Sequence, residues 1–271
     1  MTRALPDYSV TGNGPVTIFM LHGAFGAKEY WRNQLQAFSD LGLRVVAWDA
    51  PGYGCSPLPD PFSVEIAAEA LSKLIAHERT ETNIVLGHSM GGMIAIRTYG
   101  MVPEMIDGLV LSASSAAFGK SEGEWQREFV RVRVAPLDAG QTLEEFAPKM
   151  LAKMFAPGLS NAHTDMVIRV VSQMKPETFR AAIQAITQFD ARDVLPSMTV
   201  PVLCIAGGHD LNAAPPKVME KLSTKIAKGE FQCMDHVGHF GWAEDPEEFN
   251  LRVLTFLKDR IPAVNDVIKN A

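Results

Sequence analysis

Only three cysteines, Cys55, Cys204 and Cys233, occur in the 271 residues, and no two stand in CxxC spacing. That excludes a disulfide scaffold and a thiolate zinc cluster, and a reducing compartment is the expectation. The seven histidines form no HExxH or comparable pattern, so neither a metal nor an organic cofactor is expected. No apolar run approaches the roughly 20 residues of a membrane span. The opening MTRALPDYSV carries one Arg but no apolar stretch of the kind a secretory signal needs, and a cytoplasmic location is expected. Basic residues are the minority, 25 Lys and Arg against 31 Asp and Glu, for a net charge of −6. That balance argues against nucleic acid or an anionic membrane as partner, since both select basic patches.

What the chain does have is apolar substance, 47% of residues against 21% charged, enough for a large core. Short apolar runs recur with helical spacing between them. VTIFML (16–21), LRVVAWD (43–49), NIVLGH (83–88), IDGLVLSAS (106–114), VPVLCIAG (200–207) and EFQCMDH (230–236) predict buried strands. Cys204 and Cys233 lie in two of these runs and are expected in the core. Helices are predicted at about 28–40, 64–78 and 90–101, the second opened by Ser63 and carrying Glu65 and Glu69 early, where the helix dipole favours acids. Strands alternating with helices specify an α/β fold: a mostly parallel sheet of seven or eight strands covered on both faces.

The rhythm breaks between Ser115 and Ser197. No strand is evident there, and four helical pieces are predicted at about 122–134, 142–155, 161–174 and 176–189, punctuated or opened by Pro136, Pro148, Pro157 and Pro176. Residues 1–114 and 198–271 are therefore expected to form the core, and 115–197 an all-helical lid inserted between two strands. Most of the lid's Met and Phe residues are expected to pack it onto the core, a minority to line a pocket.

Gly87-His88-Ser89-Met90-Gly91 fits G-x-S-x-G, placed after a predicted strand and before a predicted helix. In that context the serine occupies a tight turn, and its neighbours two away must lack side chains. A serine hydroxyl is a poor nucleophile near neutral pH and needs a base, itself oriented by a carboxylate. Reacting groups in such sheets lie at the C-terminal strand ends. Two tips offer them: Gly207-Gly208-His209-Asp210, and His236-Val237-Gly238-His239-Phe240. Asp210 and His239 are thus expected beside Ser89. His239 is favoured over His236, which is expected still on the strand end, because Gly238 supplies a turn. His209 is expected in a loop, His88 as a packed, hydrogen-bonded residue, and Asp190 and Asp193 in structural roles.

Acyl transfer also requires N–H donors for the developing oxyanion. Met90 follows the nucleophile and supplies one. The other is expected from the glycine-rich HGAFG after the first long strand, with Ala24 preferred and Phe25 as the alternate. His22 is expected to brace that loop.

HGAFG, DAPGYGCSP, GHSMGG, the GGHD…P segment and VGHFGWAEDP, in this order, resemble the α/β-hydrolase superfamily from about Val16 to Leu257. The resemblance implies a Ser89–Asp210–His239 triad with an oxyanion hole from Ala24 and Met90. The short stretch before Val16 leaves room for one edge strand, near Tyr8–Thr11, where relatives usually have two, so seven strands are expected rather than eight. Within the superfamily the chain looks similar to small esterases and lactonases such as 3-oxoadipate enol-lactonases and serine-type N-acyl-homoserine lactonases. The implied substrate is a small ester or lactone with an apolar acyl part. Alternatives within the fold are a C–C bond hydrolase or a cofactor-free haloperoxidase or perhydrolase. Outside enzymology the alternative is a ligand-binding receptor with residual hydrolysis.

Overall fold

The computed structural model describes residues 5–118 and 123–270. Residue 122, the expected start of the first inserted helix, lies outside them. Seven strands form one sheet: β1 (Tyr8–Thr11), β2 (Val16–Leu21), β3 (Arg44–Trp48), β4 (Thr82–His88), β5 (Gly108–Ser112), β6 (Val202–Gly207) and β7 (Gly229–Met234). Their spatial order is β1-β3-β2-β4-β5-β6-β7. β1 pairs antiparallel with β3, Tyr8 opposite Trp48. Every other neighbouring pair is parallel. The expected seven strands are all present, including the single N-terminal edge strand.

Parallel pairing demands a crossover after each strand. The first are α1 (Arg32–Ser39), entered through a 3-10 turn at Lys28–Trp31, α2 (Val64–Glu78) and α3 (Met90–Met101). Four helices then separate β5 from β6: α4 (Glu124–Asp138), α5 (Leu143–Leu151), α6 (Ala162–Ser172) and α7 (Pro176–Gln188). α8 (Pro216–Ser223) joins β6 to β7, and α9 (Gly241–Glu244), α10 (Pro246–Arg260) and α11 (Pro262–Lys269) complete the chain described. Local chemistry explains several boundaries. Ser63 accepts from the Ile66 N–H and starts α2. Thr142 with Glu145, and Asn161 with Thr164, form reciprocal caps at α5 and α6.

The central strands β2, β5 and β6 are buried along their whole length, as a sheet with helices on both faces requires. β7 is an edge, and five of its six residues are only partly buried. Cys233 sits there half-buried, so of the two cysteines expected in the core only Cys204 is in it. Three other expectations need correction. β7 stops at Met234, not at residue 236, because the chain turns at Asp235–His236. β5 stops at Ser112, where Ala113 adopts a positive φ of 46°. Pro136 and Pro148 lie inside α4 and α5 instead of punctuating them.

β2 has β3 on one side and β4 on the other. The crossover leaving β2 runs to β3 on one side and the crossover leaving β4 runs to β5 on the other, so a crevice opens beyond the C-terminal ends of β2 and β4, where open α/β sheets collect ligands.

Candidate active site

Ser89 stands between β4 and α3 with φ 52° and ψ −118°, a strained conformation for a residue with a side chain. The surroundings enforce it. Its N–H donates to Ser112 O at 2.8 Å, and its carbonyl accepts from the Ser114 hydroxyl at 2.7 Å. A Cβ at Gly87 would lie 2.3 Å from the Gly91 carbonyl oxygen, and one at Gly91 would lie 2.4 Å from the Leu21 carbonyl oxygen. The two glycines flanking the turn are thus required by close backbone approach. Gly91→Ala should consequently destabilise the protein by about 1–3 kcal/mol, as overpacking does, and urea denaturation would measure it.

β6 and β7 bring the other two expected residues together. The Nδ1 of His239 lies 2.6 Å from Asp210 Oδ2, and both side chains are 3% exposed. Asp210 also accepts from the N–H groups of Ala213 at 3.0 Å and Ala214 at 3.1 Å. Burial works to raise the Asp210 pKa, but the imidazole and the two N–H groups outweigh it and the net shift is downward. Asp210 accordingly stays ionised through neutral pH and into acid. The 2.6 Å contact assigns the Nδ1 proton of neutral His239 to the Asp210 side, leaving Nε2 as the acceptor.

The ring of His88 packs 4.8 Å from that of His239, and Ser89 is the next residue along the chain. Ser89 Oγ makes no hydrogen bond among the described residues; such contacts tighten when substrate is bound. His88 is buried as expected and surrounded by the rings of His239, Phe240 and Trp242. Its hydrogen bonding is slight, Nδ1 at a long 3.4 Å from Ser112 Oγ and Nε2 without a partner. Burial, reinforced by the two neighbouring histidines, pushes its pKa well down, so it is neutral.

The loop after β2 holds the expected donors. The Ala50 N–H donates to His22 Nε2 at 3.1 Å, which leaves His22 Nδ1 to donate to Gly23 O at 2.8 Å. In a trans peptide the N–H points opposite the carbonyl, so restraining Gly23 O also sets the direction of the Ala24 N–H. Tyr53 donates to Ala24 O at 2.9 Å, and the Tyr30 hydroxyl donates to Phe25 O. His22 therefore braces this loop. Burial holds its pKa down against the opposing influence of Gly23 O and Asp49. Met90 is the first residue of α3, so its N–H has no intrahelical acceptor.

The rivals lie elsewhere. His236 is exposed and bonds Asp245 Oδ2 at 2.8 Å. Atoms of His236, Asp245 and Glu248 lie within 4.8 Å of one another, but Asp245 caps α10 and Glu248 is paired with Arg252. His209 is an exposed loop residue. Asp190 pairs with Arg192, and Asp193 lies 3.8 Å from Arg97.

Sequence reasoning overlooked Tyr30, Tyr53 and Glu244. Tyr53 and Glu244 fall within the quoted DAPGYGCSP and VGHFGWAEDP, yet nothing in their spacing says which backbone atoms they hold. Trp125 of α4 is 59% exposed, stacked on Phe118 at 5.1 Å.

A mostly parallel sheet with a strained serine at the tip of β4 and a buried carboxylate–imidazole pair at the tips of β6 and β7 defines a hydrolase-type fold. The sequence matches the alpha/beta hydrolase family over residues 18–252, and the chain belongs to that family. Among curated relatives it is 26% identical over 237 residues to a pimeloyl-[acyl-carrier protein] methyl ester esterase of Neisseria meningitidis, covering 86% of this chain and 90% of that one. It is 23% identical to 3-oxoadipate enol-lactonase 2 of Acinetobacter baylyi, covering 93% of this chain and 92% of that one. Among solved structures, an esterase from Exiguobacterium antarcticum superposes with a TM-score of 0.83 at 22% identity, over 93% of this chain and 94% of that one. No helix among the described residues is long and apolar enough to cross a membrane.

Proposed function

We propose that the chain is a serine hydrolase that cleaves a small carboxylic ester or lactone through an acyl-enzyme. The observation that carries this reading is the buried 2.6 Å His239–Asp210 pair, whose imidazole packs on the ring of His88, the residue before the strained Ser89 turn. Ser89 Oγ attacks the carbonyl carbon while His239 Nε2 takes its proton. Asp210 keeps the ring in the required tautomer and stabilises the imidazolium. The tetrahedral oxyanion accepts from the N–H groups of Ala24 and Met90. As the intermediate collapses, the carbonyl–alkoxy bond breaks and His239 returns the proton to the leaving alkoxide. In a lactone that alcohol stays tethered to the acyl group. Water then loses a proton to His239 and attacks the acyl carbon, releasing the acid and restoring Ser89.

The four inserted helices, residues 115–197, act as the lid. Phe25 of the oxyanion loop stacks on Phe179 of α7 at 5.3 Å, and Phe146 of α5 meets Phe179 edge-on at 5.8 Å. Aromatic side chains from lid and loop together suit an apolar acyl part and exclude water from the reacting centre. The names of the esterase and enol-lactonase relatives agree with this substrate class.

A pH-drop screen across simple esters, lactones of graded acyl length and a vinylogous diketone tests the reading. Turnover of at least one ester or lactone well beyond one equivalent is expected. Release that halts near one equivalent identifies a binding protein, and turnover of the diketone alone identifies a C–C hydrolase. On the acid side kcat/KM should fall through one protonation, because an imidazolium cannot accept the Ser89 proton. Asp210, whose pKa is depressed, does not contribute that limb. A rate still level at about pH 4, where an ordinary imidazole is fully protonated, would remove histidine from the base role.

A further inference from the structure

Glu244 is the last residue of α9 and is 4% exposed. Its carboxylate has no cationic partner among the described residues; backbone amides satisfy it instead. Oε2 accepts from the Ala156 N–H at 2.7 Å and the Gly238 N–H at 2.9 Å, and Oε1 accepts from the Phe240 N–H at 3.0 Å. Gly238 and Phe240 flank His239, whose own N–H donates to Met154 O at 2.7 Å. All three amides of the turn that carries the imidazole are thus engaged, two by Glu244 and one by the segment that follows α5. The approach is tight: a Cβ at Gly238 would lie 2.3 Å from Met154 O and 2.8 Å from Ala156 N. A second tie runs alongside, from Asn161 Nδ2 to Ala243 O at 3.1 Å and Glu244 O at 3.0 Å.

We propose that Glu244 is a positioning residue for His239, clamping the 238–240 turn to the 154–156 segment of the inserted helices. The proposal rests on the Ser89–Asp210–His239 reading above. The imidazole sits on a glycine-preceded turn, oriented from its ring by the bond to Asp210 and the packed ring of His88 and from its backbone by the amide bonds of the turn. Restraint of the two flanking amides by Glu244 fixes the backbone from which the ring projects. Only an ionised carboxylate can accept three N–H groups without offering a donor in return. Burial pushes the Glu244 pKa up, and the three amides and the nearby His239 oppose that rise. Because one of the three amides, that of Ala156, belongs to the connection between α5 and α6, a shift of the 154–156 segment carries the base with it. Lid position and base position are one geometric variable.

The test is Glu244→Gln, which keeps size but turns an NH2 toward at least one backbone N–H. Active sites are counted with a fluorophosphonate that labels Ser89, so that kcat refers to folded, competent molecules. The expected result is a kcat per titrated site lower by about 10- to 100-fold, the scale of an ångström-sized misplacement. KM for a short p-nitrophenyl ester should change little, and the low-field proton signal of the His239–Asp210 hydrogen bond should shift or broaden. Glu244→Asp, which retains an acceptor-only group one methylene shorter, should fall between wild type and Gln, and it replaces Gln if that variant does not fold. A lower melting temperature with unchanged kcat per titrated site and an unmoved low-field signal would overturn the proposal and leave Glu244 a purely structural residue. If Ser89→Ala remains active, the triad reading itself fails. If Ser89→Ala is inactive and Glu244→Gln turns over normally, only the positioning role fails.

Discussion

Ser89→Ala should lower kcat on a short ester by on the order of 10⁶, the scale seen when the nucleophile of a serine protease triad is removed. The fold should be nearly untouched. Ser89 Oγ makes no hydrogen bond among the described residues, so its removal orphans no partner. The positive φ of 52° is imposed by the Ser112 and Ser114 contacts to the backbone of residue 89, which alanine preserves. The melting temperature should accordingly stay within a few degrees of wild type, on the order of a surface substitution. Kinetics and thermal denaturation on the same preparation check both halves. A variant that kept more than about a tenth of wild-type activity would remove Ser89 from the nucleophile role, since every triad mechanism routes turnover through that oxygen.

His239→Ala should cost a comparable factor in kcat, whereas His236→Ala should be nearly silent. The two residues are three apart, and their environments differ in kind. His239 is buried and bonded to a buried carboxylate. His236 is exposed, in a surface pair with Asp245 worth at most about 1 kcal/mol. The His239 variant should also lose stability, by about 1–3 kcal/mol, because Asp210 keeps its charge and its burial but loses its strongest partner. The sign of the pH dependence follows from the same pair. Asp210 has a depressed pKa in the folded state, so its contribution is present above the unfolded carboxylate value and disappears as pH falls through the folded one. Removing the imidazole lets the Asp210 pKa rise, so that contribution is lost at a higher pH. Urea melts of wild type and variant across the acid range would show the difference. The opposite ranking of the two histidines in activity would exchange their roles.

Most of the architecture was legible where local chemistry is self-sufficient. α2 runs over 64–78 as its apolar spacing and Ser63 cap dictate, and α3 begins at Met90 directly after the G-x-S-x-G turn. The edges were harder to place. β7 ends two residues early and leaves Cys233 half-buried, since an edge strand has a neighbour on one side only and its apolar residues need not be enclosed. That Asp210 and His239 meet was legible because parallel sheets gather strand tips at one end, a rule of topology that sequence order alone can apply. Tyr30, Tyr53 and Glu244 were missed for a different reason. Each holds backbone carbonyls or amides, groups that every residue possesses, and so leaves no distinguishing pattern of residue types.

What the sequence determined by itself is the strand-and-helix alternation and the Ser89 turn, because glycine placement and apolar periodicity act on near neighbours. The tertiary structure alone decided how Glu244 is brought to Ala156, 88 positions away, and how the His22 ring reaches the Ala50 amide, 28 positions away. Such contacts depend on strand register and on how the inserted helices settle over the sheet. Both are properties of the packed whole, set by the simultaneous burial of many side chains and not by any one segment.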